Sequence, residues 1–571
     1  MNLLQEKLKT HPLKPKHLIK KAQLYFRKPD KIAVLLFLLY FIVGLLIFPS
    51  YGISTDEPME RETSMINLHY AMESIFGART AAASQIPVKT SLLTYEDRYY
   101  GTALQTIPLM VEYLFGFDLS TRTVFLIRHL FTFINYYTAG IFFFLILRRR
   151  FNTYIPLLGA LLYILYPRFF GESFYNIKDI LFFSWAIISS YFVLQWLLSK
   201  KLKHLIFAAV TIAVAANTRI LGFAILLLAC GFSVIIEAVN KKDDKSIIRY
   251  LKKFKEMLKL IALTYVFYII ITPFLWENPL GNTIAQFVYF RELDQLQWND
   301  THLYLGKMIT QYVQYHYIPV WMSVTIPLLH IIAFSIGAIV LTWKMISYIM
   351  RAVGQKRLIL QALTMPHIYD LFFFSMFMCT YLGFVFFKIT MYEGWRHAYM
   401  IYCPFLYVAV LGLSKATFFC KRYALLHKAF LLFVALNLIY LLGFIALNHP
   451  YQYAYFNIVG RQAEGNFSID FWNVSSYDLI RYAIEDADNC EISICIQRGT
   501  YAFHLLTQNE KKLVRTTRNV DDAEYYIYGT RGAWYSLVPP GFTQIKEITS
   551  GGVTISALYK RTAEETPHNP P

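Results

Sequence analysis

Long apolar runs recur along this chain from Ile32 to Leu447, separated by polar and often charged segments. They read roughly 32–53, 123–147, 154–167, 180–198, 204–217, 220–239, 259–275, 318–343, 368–387, 398–414 and 427–447. A hydrocarbon core of about 30 Å takes roughly 20 residues of apolar helix, so the pattern predicts about eleven transmembrane helices. The runs 154–167 and 204–217 are short for that task. Past Leu447 the pattern turns soluble-like. A helix is expected near 474–487, opening at Ser475-Ser476, and EISICIQ, AEYYIYG and GVTISALYK alternate or are β-branched as strands are. Gly551-Gly552 marks a turn into the last of them. The expected fold class is a polytopic α-helical membrane protein with a small C-terminal α/β domain. Its parts are a basic N-terminus (1–31), a transmembrane domain (32–447) with long loops at 54–122 and 276–317, and a soluble domain (448–571) with a disordered end.

Composition sharpens this picture. Charged residues make up 16% of the chain and hydrophobic ones 56%, against about 25% charged in an ordinary soluble protein. The net charge of +18 would suggest nucleic acid in a soluble protein. Here the basic residues cluster between apolar runs, as topology signals do, and no nucleic-acid partner is expected. With the N-terminus inside, the cytoplasmic segments hold about thirty Lys and Arg, and the opposite set about twelve before the tail. An odd number of spans then places the C-terminal domain outside. Residues 1–31 lack an apolar core and a cleavage site, so the helix from Ile32 is expected to be retained. The basic amphipathic stretch 243–259 is expected to lie on anionic lipid headgroups. Cys490 and Cys495 fit no metal motif, and an odd spacing on one strand disfavours a bridge between them. Sequons stand at Asn299, Asn466 and Asn473.

On this topology the long loops share the outer side, and long loops usually carry function. The first begins FPSYGISTDEPMERETS, with Asp56 and Glu57 just past the first span. Ser54 or Thr55 is placed to cap a helix there, where acidic residues favour the dipole. A partly desolvated carboxylate at the boundary also suits a general base. YPRFFGESFYNIKDILFF (166–183) brings Glu172, Lys178 and Asp179, with Asn176 or Asp179 as an N-cap. Arg219 sits between two apolar runs with almost no loop and needs an anionic partner. Arg291 lies in the 276–317 loop, and Arg396 and His397 open the tenth run beside Trp395. Carboxylates suit deprotonation of an acceptor, and cations suit a phosphate leaving group.

Certain stretches occur in a telling order: TDEP (55–58), YPRFFGESFYNIKD (166–179), NTRILG (217–222), YHYIPVWMSVTIPL (315–328), EGWRHAYMIYCPF (393–405), HPYQYAYFN (449–457) and IDFWNVSSYDL (469–479). By these and their places relative to the spans, the chain resembles the C-type membrane glycosyltransferases. The likeness is to the protein-mannosyltransferase-like family 39 group, which includes the aminoarabinose transferases of lipid A. The resemblance implies a polyprenyl-phosphate-linked sugar donor, a lipid, glycan or protein acceptor, and an inverting transfer that releases the lipid phosphate. It implies a plasma (inner) membrane location. Asp56 would be catalytic base or acceptor-binding group, with Glu57 beside it. Asp179 would be the second acid, with Glu172 as an alternative. Arg219, Arg396, Lys178 and Lys89 would be candidates for the donor phosphate. Some relatives use a divalent metal and others none, and no ligand spacing here decides. Tail and loop lengths depart from the family's best-known enzymes. A membrane transporter or lipid-linked-sugar flippase has a similar span count, but it usually shows an internal repeat and mid-membrane charges.

Overall fold

The computed structural model describes residues 28–83, 86, 88, 90–115, 122–239, 247–292, 302–309, 315–354, 365–389, 391–496, 500–529 and 538–562. Among these, seven helices are long and apolar enough to cross a membrane: Pro29–Ser50, Arg122–Arg150, Asp179–Ser199, Leu328–Ser347, Pro366–Phe386, Arg396–Cys420 and Ala424–Leu447. Ile155–Ile164, Leu202–Thr218 and Ile220–Ile236 are shorter apolar helices. At 1.5 Å per residue the first two of these extend about 15 and 26 Å, so the runs that looked short are short. The expected run 318–343 is broken into Tyr317–Thr325 and Leu328–Gly354. Pro327 explains the break, because the residue before proline is pushed out of the helical region, and Ile326 is extended with ψ of 139°. The amphipathic stretch from Ile247 and the run that follows it form one continuous helix, Ile247–Ile270. Residues 243–246 lie outside the described residues.

The segment 166–175 is not an open loop. It folds as the helix Pro167–Tyr175, started by proline and buried along its whole length. Phe174 stacks between Tyr51 and Phe133, with centroids 4.3 and 5.1 Å away. This wedge joins the first span, Arg122–Arg150 and the tail in one aromatic core.

The two ends of the bundle differ chemically. At one end Arg148 grips Asp30 through two bonds of 2.5 and 2.6 Å, and Arg150 grips Asp370 at 2.8 and 2.9 Å. Along the same helix Arg128 lies about 33 Å from Arg150, and there the loop helices Asp56–Phe76 and Ala103–Leu114 gather.

The tail packs against that second end. Its helix Ser476–Asp486 and strands β3 (Ile492–Ile496), β5 (Tyr525–Gly529) and β7 (Val553–Arg561) fall where expected. Two strands were not anticipated, β4 (Val514–Thr517) and β6 (Phe542–Ser550). The sheet order is β4-β3-β5-β7-β6, parallel around β3 and antiparallel at β7. Gly551 and Gly552, both at positive φ, make the β6–β7 turn, which needs that conformation at both positions. A separate hairpin pairs β1 (His302–Tyr304) with β2 (Lys307–Ile309) in the second long loop. Cys490 and Cys495 are free thiols.

Candidate active site

The first loop turns into a helix at Asp56 because Glu57 reaches back. Its carboxylate accepts from the Ser54 amide at 2.7 Å and from the Ser54 hydroxyl at 3.3 Å, half of a capping box. Its other oxygen is 3.0 Å from His129 Nε2, and both side chains are fully buried. Neither Ser54 nor Thr55 caps the helix: the Ser54 hydroxyl also donates to the Tyr175 carbonyl and that of Thr55 to the Trp472 carbonyl. Glu57 thus anchors the loop to Arg122–Arg150. Glu57→Ala is expected to lower stability by about 3 kcal/mol, since it strands a buried histidine and an amide. Thermal unfolding of the purified protein checks this.

Asp56 turns the other way. Its Oδ2 accepts from Arg396 Nη1 at 3.0 Å, and its side chain keeps 29% of its exposure while that of Arg396 keeps 5%. Asp179 joins the pair because Asn176 does the capping: the Asp179 amide donates to Asn176 Oδ1 at 2.9 Å. The Asp179 carboxylate is therefore left for cations. Arg219 donates to its Oδ1, and Arg396 Nη1 stands 3.6 Å from its Oδ2. Arg219 reaches this point because the helix Leu202–Thr218 ends there in an extended residue followed by a tight turn. Glu393 adds a third carboxylate, 3.4 Å from Arg396 Nη2. Lys178 pairs with Glu60 and lies 3.8 Å from the centroid of Tyr100.

The tail closes one wall. The Thr55 amide and hydroxyl both donate to the Trp472 carbonyl at 3.2 Å. Trp472 and Phe471 lie 4.8 and 5.8 Å from the Arg396 guanidinium, at cation–π range. Asp470 shapes this segment by accepting from the Asn473 amide at 2.8 Å and the Ser475 hydroxyl at 2.7 Å. Gly52 permits the approach, since a Cβ there would meet the Val474 carbonyl oxygen at 2.0 Å.

Asp56, Asp179, Lys178, Arg219 and Arg396 therefore gather at one end of the bundle. Glu172 sits behind them, fully buried, accepting from Tyr399 and Asn176 at 2.7 Å each. Burial pushes its carboxyl up to about 7, outweighing those donors. The folded state then holds a proton that the unfolded chain releases near the usual 4.5. Stability from this group is full below about 4.5 and declines as pH rises to about 7. Thermal unfolding across that range is expected to show this slope, and Glu172→Gln to flatten it. His397 packs edge-on against Tyr392, centroids 4.6 Å apart. Arg291 is exposed in the last turn of Pro279–Arg291 and takes no part in the cluster described above. Lys89 and Asn299 lie outside the described residues. Among the described residues no group of three or more His, Cys, Asp or Glu is placed to hold a metal ion.

Glu60, Glu393, Tyr100, Phe471 and Trp472 were not among the candidates drawn from sequence. Glu60 carried a signal, being four residues from Asp56 and so on the same helix face. Glu393 stands in the quoted EGWRHAY stretch.

No family model and no curated protein matches the chain. Solved structures resemble it at low identity. The archaeal oligosaccharyltransferase AglB from Archaeoglobus fulgidus, in complex with an inhibitory peptide and a dolichol-phosphate, is 12% identical with a TM-score of 0.44, over 86% of this chain and 69% of that one. An oligosaccharyltransferase structure from the same organism, with Zn and sulfate, is also 12% identical with a TM-score of 0.40. This chain spans 62% of its length, and the match covers 86% of this chain. ArnT from Cupriavidus metallidurans bound to undecaprenyl phosphate is 11% identical with a TM-score of 0.43, over 94% of this chain and 99% of that one.

Proposed function

We propose that the protein is a membrane glycosyltransferase that moves a sugar from a lipid-phosphate donor to an acceptor at the end of the bundle where Asp56 lies. The observation that carries this reading is the pairing of a partly exposed Asp56 with Arg396, beside the Asp179–Arg219 pair. Of the two aspartates, Asp56 keeps an accessible face and Asp179 has none. The resemblance of the sequence stretches supports the same chemistry.

Asp56 takes the proton from the acceptor as the acceptor's nucleophile attacks the anomeric carbon. The bond from that carbon to the phosphate oxygen breaks, its electron pair leaves with the lipid phosphate, and the anomeric configuration inverts. Arg219 and Arg396 neutralise charge developing on the departing phosphate, and each has an Nε–H without a hydrogen-bond partner among the described residues. Lys178 and the rings of Tyr100 and Trp472 border the sugar. The lipid chain stays among apolar helices, so the donor reaches the cluster without leaving the bilayer. The basic N-terminus faces the cytoplasm, and the tail domain faces the opposite side with the cluster. The donor is a polyprenyl-phosphate sugar and the acceptor a lipid, glycan or protein.

Binding of polyprenyl phosphate to the purified protein tests the phosphate assignment. Arg219→Met is expected to weaken it by about tenfold to a hundredfold, the worth of a charge-assisted contact. Equal binding by wild type and variant would remove Arg219 from the donor site.

A further inference from the structure

Away from the cluster, a second set of charges is sealed inside the protein. Arg128 is fully buried in Arg122–Arg150, next in sequence to His129. Its Nε and Nη2 lie 3.1 and 3.0 Å from Glu112 Oε1. Arg61 Nε takes the other Glu112 oxygen at 3.1 Å. Two cations thus share one carboxylate, and Arg128 turns its remaining arm to Gln105 Oε1 at 3.1 Å. The Gln105 amide then donates to the Ile177 carbonyl at 2.8 Å.

That last bond gives the network a direction. Ile177 immediately precedes Lys178 and Asp179, which pair with Glu60 and with Arg219. Glu60 in turn is the neighbour of Arg61. The network therefore fastens two sides of the cluster to one rigid helix. Apolar side chains would fill the same space without the desolvation cost of the buried Arg128–Glu112 pair, and filling space needs no bond to one carbonyl.

We propose that Gln105 and Arg128 are positioning residues for the transfer. They set the distance between the Lys178–Asp179 pair and Asp56 by holding the Ile177 carbonyl. The inference rests on the proposed function for its catalytic consequence only.

Two Gln105 variants of the full-length protein separate positioning from plain stability. Gln105→Leu loses both bonds, whereas Gln105→Glu keeps an acceptor for Arg128 and loses the donor to Ile177. Hydrogen exchange of the peptide covering 176–183 is read first, because it does not depend on any activity. Both variants are expected to speed exchange there by about tenfold or more, the signature of a local opening. In transfer assays both are expected to lower kcat by about a hundredfold, as a displacement of about 1 Å does, with the donor KM little changed. Unchanged exchange at 176–183 in Gln105→Glu would overturn the proposal. So would faster exchange with full kcat. If wild type transfers nothing from any lipid-linked donor, the proposed function fails, while the exchange result still decides whether Gln105 holds this segment.

Discussion

Asp56→Asn is expected to abolish sugar transfer, lowering kcat by about 10²–10⁴-fold, the usual worth of a positioned general base. Asparagine has the same shape, and its amide oxygen still accepts from Arg396, which holds Asp56 at 3.0 Å. The partly exposed site tolerates the loss of charge, so stability should change by less than about 1 kcal/mol. Because the proton is taken only as the nucleophile attacks, the donor KM should stay near the wild-type value and the loss should fall on kcat. Steady-state transfer with matched amounts of folded protein separates these outcomes. A variant with a raised KM and full kcat would make Asp56 a binding group instead.

Arg396 carries the second large effect. Its buried guanidinium contacts Asp56, Asp179 and Glu393 at once. Arg396→Met leaves these carboxylates facing one another and is expected to cost about 3–5 kcal/mol of stability, as removal of one partner from a buried ion pair does. Arg396→Lys is the informative variant. An ammonium keeps the charge but cannot span three partners with a planar fork. It should fold, yet lose about 10²–10³-fold in transfer, comparable to deleting one preorganised donor. Thermal unfolding alongside kinetics distinguishes the two substitutions. Wild-type transfer by Arg396→Lys would show that charge alone suffices.

Asp56, Asp179, Arg219 and Arg396 were legible before the fold because each stands at the start or the end of an apolar run. Asp56 follows the first span, Asp179 opens the helix Asp179–Ser199, and Arg219 sits at a reversal with almost no loop. A charge at such a place has few bland explanations. Glu57 shows where that logic stops. It is adjacent to Asp56, but a helix turns about 100° per residue, and one step carries its side chain to His129. Arg128 was hidden for the opposite reason: it lies within an apolar run, so hydropathy absorbed it. The Trp472 carbonyl meets Thr55 across 417 residues of sequence, a contact that no local pattern encodes. In the tail, β6 escaped notice because its residues do not alternate as a half-buried strand does, and it is an edge of the sheet.

The tail's place beside Asp56 does not depend on counting spans, since it hydrogen-bonds the first loop directly. Among the described residues, seven of the eleven expected runs contain helices that meet the length and composition needed to cross.

Lipid-linked sugar transfer is tested most directly in proteoliposomes holding the purified protein and a polyprenyl-phosphate sugar labelled on both the sugar and the lipid. Sugar label moving to acceptor in step with release of free polyprenyl phosphate, and lost in Asp56→Asn, is the expected result. Both labels crossing the bilayer together on an intact donor would contradict it and make the protein a carrier of that lipid.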